Sequence, residues 1–176
     1  MKIHQIQMRY DELQDRILLR LSTTDNCEFR FWLTRRFVKR LWGMLVKMLE
    51  WDRAVQQQLD MNVRRTVLDI QHEGFVHQGD FCKRFEEAPR RAPLGDQPVV
   101  LSRAKGEKGD EGMQVLSLHP QQGQGIDLTV DAKLLHLFVK ILREAVARTD
   151  WEIPLALHEE GEQTATAEAV SPRKLN

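Results

Sequence analysis

A strand that leads directly into a helix is the clearest pattern along the chain. Between residues 28 and 33, apolar side chains occupy every second position, which predicts that Phe29, Phe31 and Leu33 face a core. The opposite face of the strand is polar or aromatic and is expected to point outward. Its residues are Glu28, Arg30 and Trp32.

A helix is predicted to begin at residue 35. Thr34 suits its N-cap, because a threonine hydroxyl accepts a hydrogen bond from a first-turn amide. From Phe37 to Met48 the apolar residues recur at helical spacing and form one stripe. The remaining surface is basic and contains no acid. Arg35 and Arg36 lie in the first turn, where the helix dipole disfavours cations, so the pattern indicates an anionic partner nearby.

The same pattern recurs when the chain is shifted by 97 residues, which moves position 31 onto position 128. Phe31 then meets Leu128, and the Thr34 cap meets Asp131, another favourable N-cap. The spacing is preserved across two strands, a cap and a helix without a gap. We therefore predict an α+β fold built from duplicated β-β-β-α units, with antiparallel meanders and a long helical segment after the first.

The domain organisation follows from the repeat and from a length of 176 residues. One compact domain is expected over residues 1–157, with repeats at 1–78 and 98–157. The segment 79–97, which contains prolines, links them, and within the second repeat Gly106–Gly112 is predicted as a hairpin loop. Residues 158–176 are polar and acidic, and we expect a disordered tail there.

The segment after the basic helix has two interpretations. It is either one helix over residues 35–73 or two helices with a break near Leu59–Asn62, where Asp60 would cap the second. A shift in the apolar register favours the break. The apolar stripe predicted for the second helix consists of Val63, Val67 and Ile70.

Composition restricts the class of protein. The 26 Lys and Arg residues balance the 26 Asp and Glu residues, so general affinity for nucleic acid is not a property of the whole chain. No stretch approaches the roughly 20 apolar residues of a membrane span, and the N-terminus does not resemble a secretory signal. Two distant cysteines, Cys27 and Cys82, indicate free thiols in a reducing cytoplasm.

No catalytic, metal or cofactor motif is visible. His72, Glu73 and His77 resemble a zinc-protease motif, but three residues separate Glu73 from His77 where two are needed, so a polar helix end near Gly74 is favoured. Residues 123–125 are predicted to be a turn rather than a dinucleotide loop. We expect no catalytic residue, no metal and no cofactor. An enzyme assembled from distant residues ranks third among the possible classes.

The basic strand–helix junction is the candidate binding surface, for single-stranded nucleic acid or another anion. Arginine beside an exposed aromatic ring is the combination that grips phosphates and stacks bases. The alternative is a solvated face balanced by acids elsewhere in the fold. In the second repeat, Asp127 and Thr129 replace the arginine and the tryptophan of the strand, so any such function is asymmetric. The candidate residues are Arg30, Trp32, Arg35, Arg36, Lys39 and Arg40.

Self-association is predicted from Trp42, Leu49 and Trp51, which lie off the main apolar stripe. One folded half covers only one face of a helix, so these side chains require the linker, the second repeat or another subunit. We expect a homodimer.

Four short stretches resemble a family of bacterial proteins for which no activity is established, so the resemblance implies no catalytic residues. At the level of topology, a duplicated meander with a helix is similar to the PUR-repeat and Whirly single-strand nucleic-acid binders, whose units have four strands against three here. We predict a non-enzymatic binding or assembly module, with single-stranded nucleic-acid binding as the alternative. The four stretches are residues 29–36, 71–73, 79–81 and 134–136.

Overall fold

The computed structural model describes residues 2–79, 84–87 and 90–157. It confirms the α+β class, with two antiparallel meanders that are each followed by a helix. The predicted tail and Cys82 lie outside the described residues. In chain order the elements are β1 (Ile3–Asp11), β2 (Arg16–Thr23), β3 (Glu28–Leu33), α1 (Arg35–Leu49), α2 (Arg53–Gln56), α3 (Met61–His77), β4 (Val99–Val100), β5 (Arg103–Lys108), β6 (Gln114–His119), β7 (Ile126–Val130) and α4 (Ala132–Val146).

The strands form two sheets that the chain joins between β4 and β5. One sheet has the order β1-β2-β3-β4 and the other β5-β6-β7; the short β3–β4 pair is parallel, and the other strand pairs of the described residues are antiparallel. The Leu101 amide donates to the Trp32 carbonyl at 3.0 Å, whereas the next amide, of Ser102, donates to the His119 carbonyl at 3.0 Å. This crossing point brings the edges of the two sheets together.

The two β-β-β-α units end in helices of equal length with side-chain N-caps. Helices α1 and α4 have 15 residues each. Thr34 caps α1 by accepting from the Phe37 amide at 3.3 Å, and Asp131 caps α4 by accepting from the Leu134 amide at 2.7 Å. These caps hold two of the first-turn amides that an isolated helix leaves without a partner.

Strand pairing follows the same shift. Leu19 pairs with Phe31 in the first unit, and Leu116 pairs with Leu128 in the second. All four side chains have no exposed surface. The first hairpins differ by one residue in register, because the loop after β5 (109–113) is one residue longer than the loop after β1 (12–15). That the two halves superpose as rigid units stays a prediction.

Each long helix packs against the sheet of the other unit: α1 lies on β5, and α4 lies on β1. Gly106 permits the close approach of α1, because a Cβ at that position would lie 2.7 Å from Met48 Sδ and 3.4 Å from the Trp51 ring. Gly106 was predicted to lie in a hairpin loop, which is wrong, since β5 includes it. The buried side chains of both units form one continuous core.

Helix α1 ends earlier than either interpretation of the sequence allowed. It stops at Leu49, the short α2 follows, and α3 begins after Asp60, whose carboxylate accepts from the Asn62 amide at 2.7 Å. The interpretation with a break before α3 is therefore confirmed. The structure has a further break, after α1, that was not predicted.

The stripe predicted for α3 is mostly exposed, although Val67 packs, partly buried, against the core. Val63 is 44% exposed and Ile70 is 64% exposed. The described residues of α3 that are buried are Leu68 and His72, which face α4.

The side chains off the α1 stripe are covered within the chain. Trp42 is 8% exposed, and its Nε1 donates to the Ala156 carbonyl at 3.1 Å. Leu49 is buried, and Trp51 packs beside β5, with the Lys108 ammonium 5.8 Å from its ring centroid. The argument from these residues for a second subunit therefore fails. No helix among the described residues is long and apolar enough to cross a bilayer.

Candidate anion-binding groove

The outer face of the first sheet carries a buried ionic cluster, not a free basic surface. Glu28 was predicted to face solvent, but its side chain is only 4% exposed. Its Oε1 accepts from Arg20 Nε at 2.9 Å and from Arg30 Nε at 2.7 Å. Arg90 Nη1 lies 3.8 Å from Oε2. The segment that links the two units covers this face, which alternation within β3 does not reveal.

The linker also brings carboxylates and an aromatic ring to the cluster. Glu87 accepts two hydrogen bonds from Arg20, at 2.6 and 2.8 Å. Phe85 lies between two guanidinium groups, with Arg20 Cζ 4.2 Å and Arg90 Cζ 5.3 Å from its ring centroid. Burial raises the pKa of Glu28, but the Arg20 and Arg30 guanidinium groups outweigh that effect and hold the pKa below its usual range. The carboxylate is therefore ionised at neutral pH and neutralises the arginines around it.

A separate groove lies between α1 and the second sheet. It consists of two adjoining depressions of about 550 and 450 Å³, which share Arg40, Ser102 and Arg103. We call this surface the basic groove. Its polar lining residues are Thr34, Arg36, Arg40, Ser102, Arg103, Lys105, Ser117, His119 and Gln121.

Local structure explains how cations from two units reach one groove. Arg36 and Arg40 are one turn apart on α1 and therefore lie on the same face. Arg103 and Lys105 alternate with inward-facing small residues on β5, so both point to the outer side of the strand. Because α1 packs on β5, the two pairs face a common space.

Three arginines of the basic groove have no acidic partner among the described residues. Arg36 and Arg40 are exposed and make no hydrogen bond or ion pair there. Arg103 donates only to the Pro120 carbonyl, from Nε at 3.3 Å and from Nη2 at 3.1 Å. That contact fixes the guanidinium plane and leaves its charge uncompensated. Lys105 is paired with Glu107.

The far end of the basic groove has a hydrogen-bonded polar group. His119 Nε2 lies 3.0 Å from Asp127 Oδ1. Hydrogen bonds from Ser117 and from His119 lower the pKa of Asp127, so this carboxylate stays ionised. The Ser102 hydroxyl is buried and has no hydrogen-bond partner within the described ranges. The groove thus offers arginines and the Ser102 hydroxyl to an anion, whereas Ser117 and His119 are hydrogen-bonded to Asp127.

The six residues predicted as candidates lie in four different surroundings. Arg36 and Arg40 line the basic groove, whereas exposed Lys39 and Arg35 do not. Arg30 belongs to the ionic cluster, where it also donates to the Asp96 carbonyl at 3.1 Å.

Trp32 is half-buried on β3 and is not a lining residue, although its strand partner Val100 is. A stacking role for Trp32 is therefore not part of the groove's geometry. Phe37 also lines the groove, but its ring is buried and is not available for stacking on a base.

A second polar pair lies between α3 and α4. The sequence predicted a polar helix end at His72 and a break at Gly74, but α3 continues to His77 and His72 is buried. Its Nδ1 lies 3.1 Å from Nδ1 of His136. No group of three or more potential metal ligands occurs within the described part of the chain.

Arg103, Lys105 and His119 were missed as candidates. The available signal was the alternation of basic and small residues from Arg103 to Gly106, which is typical of a strand with one polar face. Their meeting with α1 depends on packing between the two units, which no local pattern predicts.

Comparisons with protein-family profiles, with curated proteins and with solved structures found no match. The resemblance to a bacterial family therefore stays a prediction. The functional argument rests on the geometry of the groove alone.

Proposed function

We propose that the chain is a non-enzymatic binding module whose basic groove holds single-stranded nucleic acid. The observation that supports the proposal is the convergence of Arg36, Arg40 and Arg103, from two different units, without an acidic partner among the described residues. Three cations that repel one another are stabilised by an anion between them. Phosphate suits this arrangement, because a guanidinium group donates two parallel hydrogen bonds to phosphate oxygens.

We propose a single strand rather than a duplex, because the two depressions are small, about 550 and 450 Å³, and a flexible backbone can follow the cations that line them. Arginine and hydroxyl contacts to phosphates carry no sequence information. We therefore expect binding with little sequence preference.

The groove belongs to one side of the molecule only. The positions that correspond to Arg36 and Arg40 are Lys133 and Leu137, and the strand pairing makes Gln5, opposite Ser22, the counterpart of Arg103, opposite His119. Two of the three cations are absent there, so α4 and β1 form no equivalent surface. One binding site per chain follows from this asymmetry.

The proposal is tested by fluorescence anisotropy with a labelled single strand of mixed sequence and with its duplex. Three neutralised phosphates predict a slope of about −2 for log K against log salt with the single strand. Binding should be weaker to the duplex. No binding to the single strand at low salt, or tighter binding to the duplex, would contradict the proposal.

The acidic residues beyond position 157 allow a second comparison in the same binding assay. Glu159, Glu160, Glu162 and Glu168 occur there without a basic residue among them. A protein that ends at Leu157 should bind the single strand more tightly than the full chain, because these carboxylates compete for the groove. Equal affinity of the two proteins would show that the tail does not compete for the groove, and it would not contradict binding of the single strand in the groove.

We also propose homodimer formation through the outer face of α3. Val63, Val67 and Ile70 form a stripe with the spacing of a helix–helix seam; Val63 and Ile70 are exposed, and Val67 is partly buried against the core. Gly74 continues it, and a Cβ placed there would meet no atom within 4 Å, so a second helix has room to approach. A second copy of α3 presents the same stripe and completes the seam symmetrically.

The dimer should be weak. One helix pair offers only a few apolar side chains, which is less than the interface of about 1,200–2,000 Å² found in stable complexes. Analytical ultracentrifugation should give a dissociation constant in the micromolar range, and Ile70→Lys should raise it at least tenfold. Glu73→Lys, also exposed on α3, is the control. A monomer at high micromolar concentration would refute the dimer.

A further inference from the structure

Helix α3 is attached to the rest of the fold by a small buried contact. Leu68 is 1% exposed and His72 is 9% exposed, and the other described residues of the helix are more accessible. His72 meets His136 of α4, which is 1% exposed. One of the two most buried side chains of α3 is therefore polar, and its charge changes near neutral pH.

The two imidazoles share one hydrogen bond. Their Nδ1 atoms are 3.1 Å apart, and the ring centroids are 5.4 Å apart at an interplanar angle of 43°. Only one proton fits between the two nitrogens, so one ring donates from Nδ1 and the other accepts with its proton on Nε2. Phe75 packs against His136, with centroids 5.1 Å apart, and shields the pair. Both rings can be neutral in this arrangement, but both cannot be doubly protonated.

A metal ion is the other possible bridge between two such nitrogens. The described residues provide no third histidine, cysteine or carboxylate to complete a coordination shell. Lys140 and Arg143 lie near His72, and their charges disfavour a cation there. The hydrogen bond is therefore the interaction that the surroundings support.

Charged groups around the pair act in both directions. Asp69 and Glu73 of α3 favour protonation of His72, whereas Arg143 and Lys140 of α4 oppose it. Asp52, which precedes α2, favours protonation of His136. Burial is the largest influence on both rings; it lowers the pKa of His72 and holds the pKa of His136 at about 4.

We propose that the hydrogen-bonded pair His72–His136 is a proton-sensitive latch, which holds α3 against α4 at neutral pH and releases the helix under mildly acidic conditions. Released α3 would uncover the depression of about 770 Å³ that it lines with Trp42 and Trp51. The latch is independent of the basic groove, because α3 does not line that surface.

The sign and size of the effect follow from proton linkage. His136 has a pKa of about 4 when docked, against an ordinary value of 6.5 when released, so the released state binds more protons. The latch is at full strength above pH 6.5 and weakens as the pH falls toward 4. At pH 5 the equilibrium constant for release should be about 30-fold larger than at pH 7.5.

Hydrogen exchange with mass spectrometry on the full chain tests the latch. Opening constants for peptides of α3, corrected for the intrinsic pH dependence of exchange, are compared at pH 7.5 and pH 5. The wild-type protein should show an increase of about 30-fold in α3 and less than threefold in β2 and β6. His77→Gln, an exposed histidine at the end of the same helix, should behave like wild type.

His136→Asn removes the titration of His136 and retains a hydrogen-bonding atom at the position of Nδ1, while His72 still titrates. Its α3 should therefore open by clearly less than the wild-type 30-fold between pH 7.5 and pH 5, and α3 of the double variant His72→Asn/His136→Asn should open by less than threefold. If α3 of one variant is unprotected at both pH values, the other variant serves for the comparison. An unchanged α3 in wild type at pH 5, or the same pH response in wild type and in the asparagine variant that docks, would overturn the latch.

Discussion

Glu28→Gln tests the buried ionic cluster on the outer face of the first sheet. The substitution keeps the shape of the side chain and removes its charge. Glu28 accepts charge-assisted hydrogen bonds from Arg20 at 2.9 Å and from Arg30 at 2.7 Å, and buried Arg90 lies 3.8 Å away. In the variant these become ordinary hydrogen bonds, and buried Arg90 loses one of its two carboxylate partners, since Glu86 Oε2 stays 3.4 Å from its Nη2.

The magnitude follows from the number of partners that remain. Removing one member of a buried ion pair destabilises a protein by about 3–5 kcal/mol. Arg20 retains its two hydrogen bonds to Glu87, and Arg30 is partly exposed, so solvent and a second carboxylate reduce the loss. We expect the free energy of unfolding to fall by about 2–4 kcal/mol.

Urea denaturation monitored by circular dichroism measures this change, and an unchanged m-value would show that the midpoint shift reflects stability. Glu50→Gln, at an exposed carboxylate, is the matched control and should change the free energy by less than about 0.5 kcal/mol. The difference between wild type and Glu28→Gln should be present above pH 4.5, the ordinary pKa of the group, and should vanish as the pH falls below its lowered folded value. A loss below about 1 kcal/mol at pH 7 would refute the cluster.

Three further substitutions have defined outcomes. The pKa of Tyr10, raised to about 12 chiefly by its hydrogen bond to Asp15, should fall toward 10 in Asp15→Asn; ultraviolet titration reads it directly, because the chain has one tyrosine. Leu68→Ala should remove about 2–5 kcal/mol of α3 docking, seen as lost hydrogen-exchange protection in α3 while the sheets stay protected. Asp131→Ala should lower the unfolding free energy by about 1 kcal/mol in thermal or urea denaturation, because α4 loses its N-cap.

Local patterns predicted the elements that local physics determines. Alternation in residues 28–33 and helical spacing after Thr34 gave β3 and α1, and the same shift placed α4 after Asp131. Each of these depends on side-chain periodicity and on a cap within a few residues. The capping role of Asp60 was predictable for the same reason.

Predictions of side-chain burial were wrong where a segment distant in sequence covers the residue. Glu28 reads as an outward-facing residue, and only the linker folded over it makes it buried. The stripe on α3 is real, but no pattern in the helix states which of its faces meets α4. His72 is the same kind of case, since its partner lies 64 residues away.

The candidate site was predicted in part. The cationic face of α1 was visible, and Arg36 and Arg40 belong to the basic groove. Arg103 was not identified, because it reaches the groove through the packing of α1 on β5. Arg30 was predicted to lie on the binding surface. It instead donates a hydrogen bond to buried Glu28, and that burial depends on the linker and is not visible in the sequence of β3.

The most direct test of the central claim compares single-strand binding by two triple variants across a range of salt concentrations. One variant replaces Arg36, Arg40 and Arg103 with glutamine. The control replaces three exposed arginines that do not line the basic groove. These are Arg9, Arg53 and Arg148.

Both variants lose the same formal charge, so a general electrostatic effect would weaken them equally. We expect the groove variant to lose at least tenfold in affinity at low salt, and the slope of log K against log salt to fall from about −2 to near zero, since each arginine contributes about 0.7. The control should keep the wild-type slope. Equal losses in the two variants, or an unchanged slope in the groove variant, would contradict the proposed binding site.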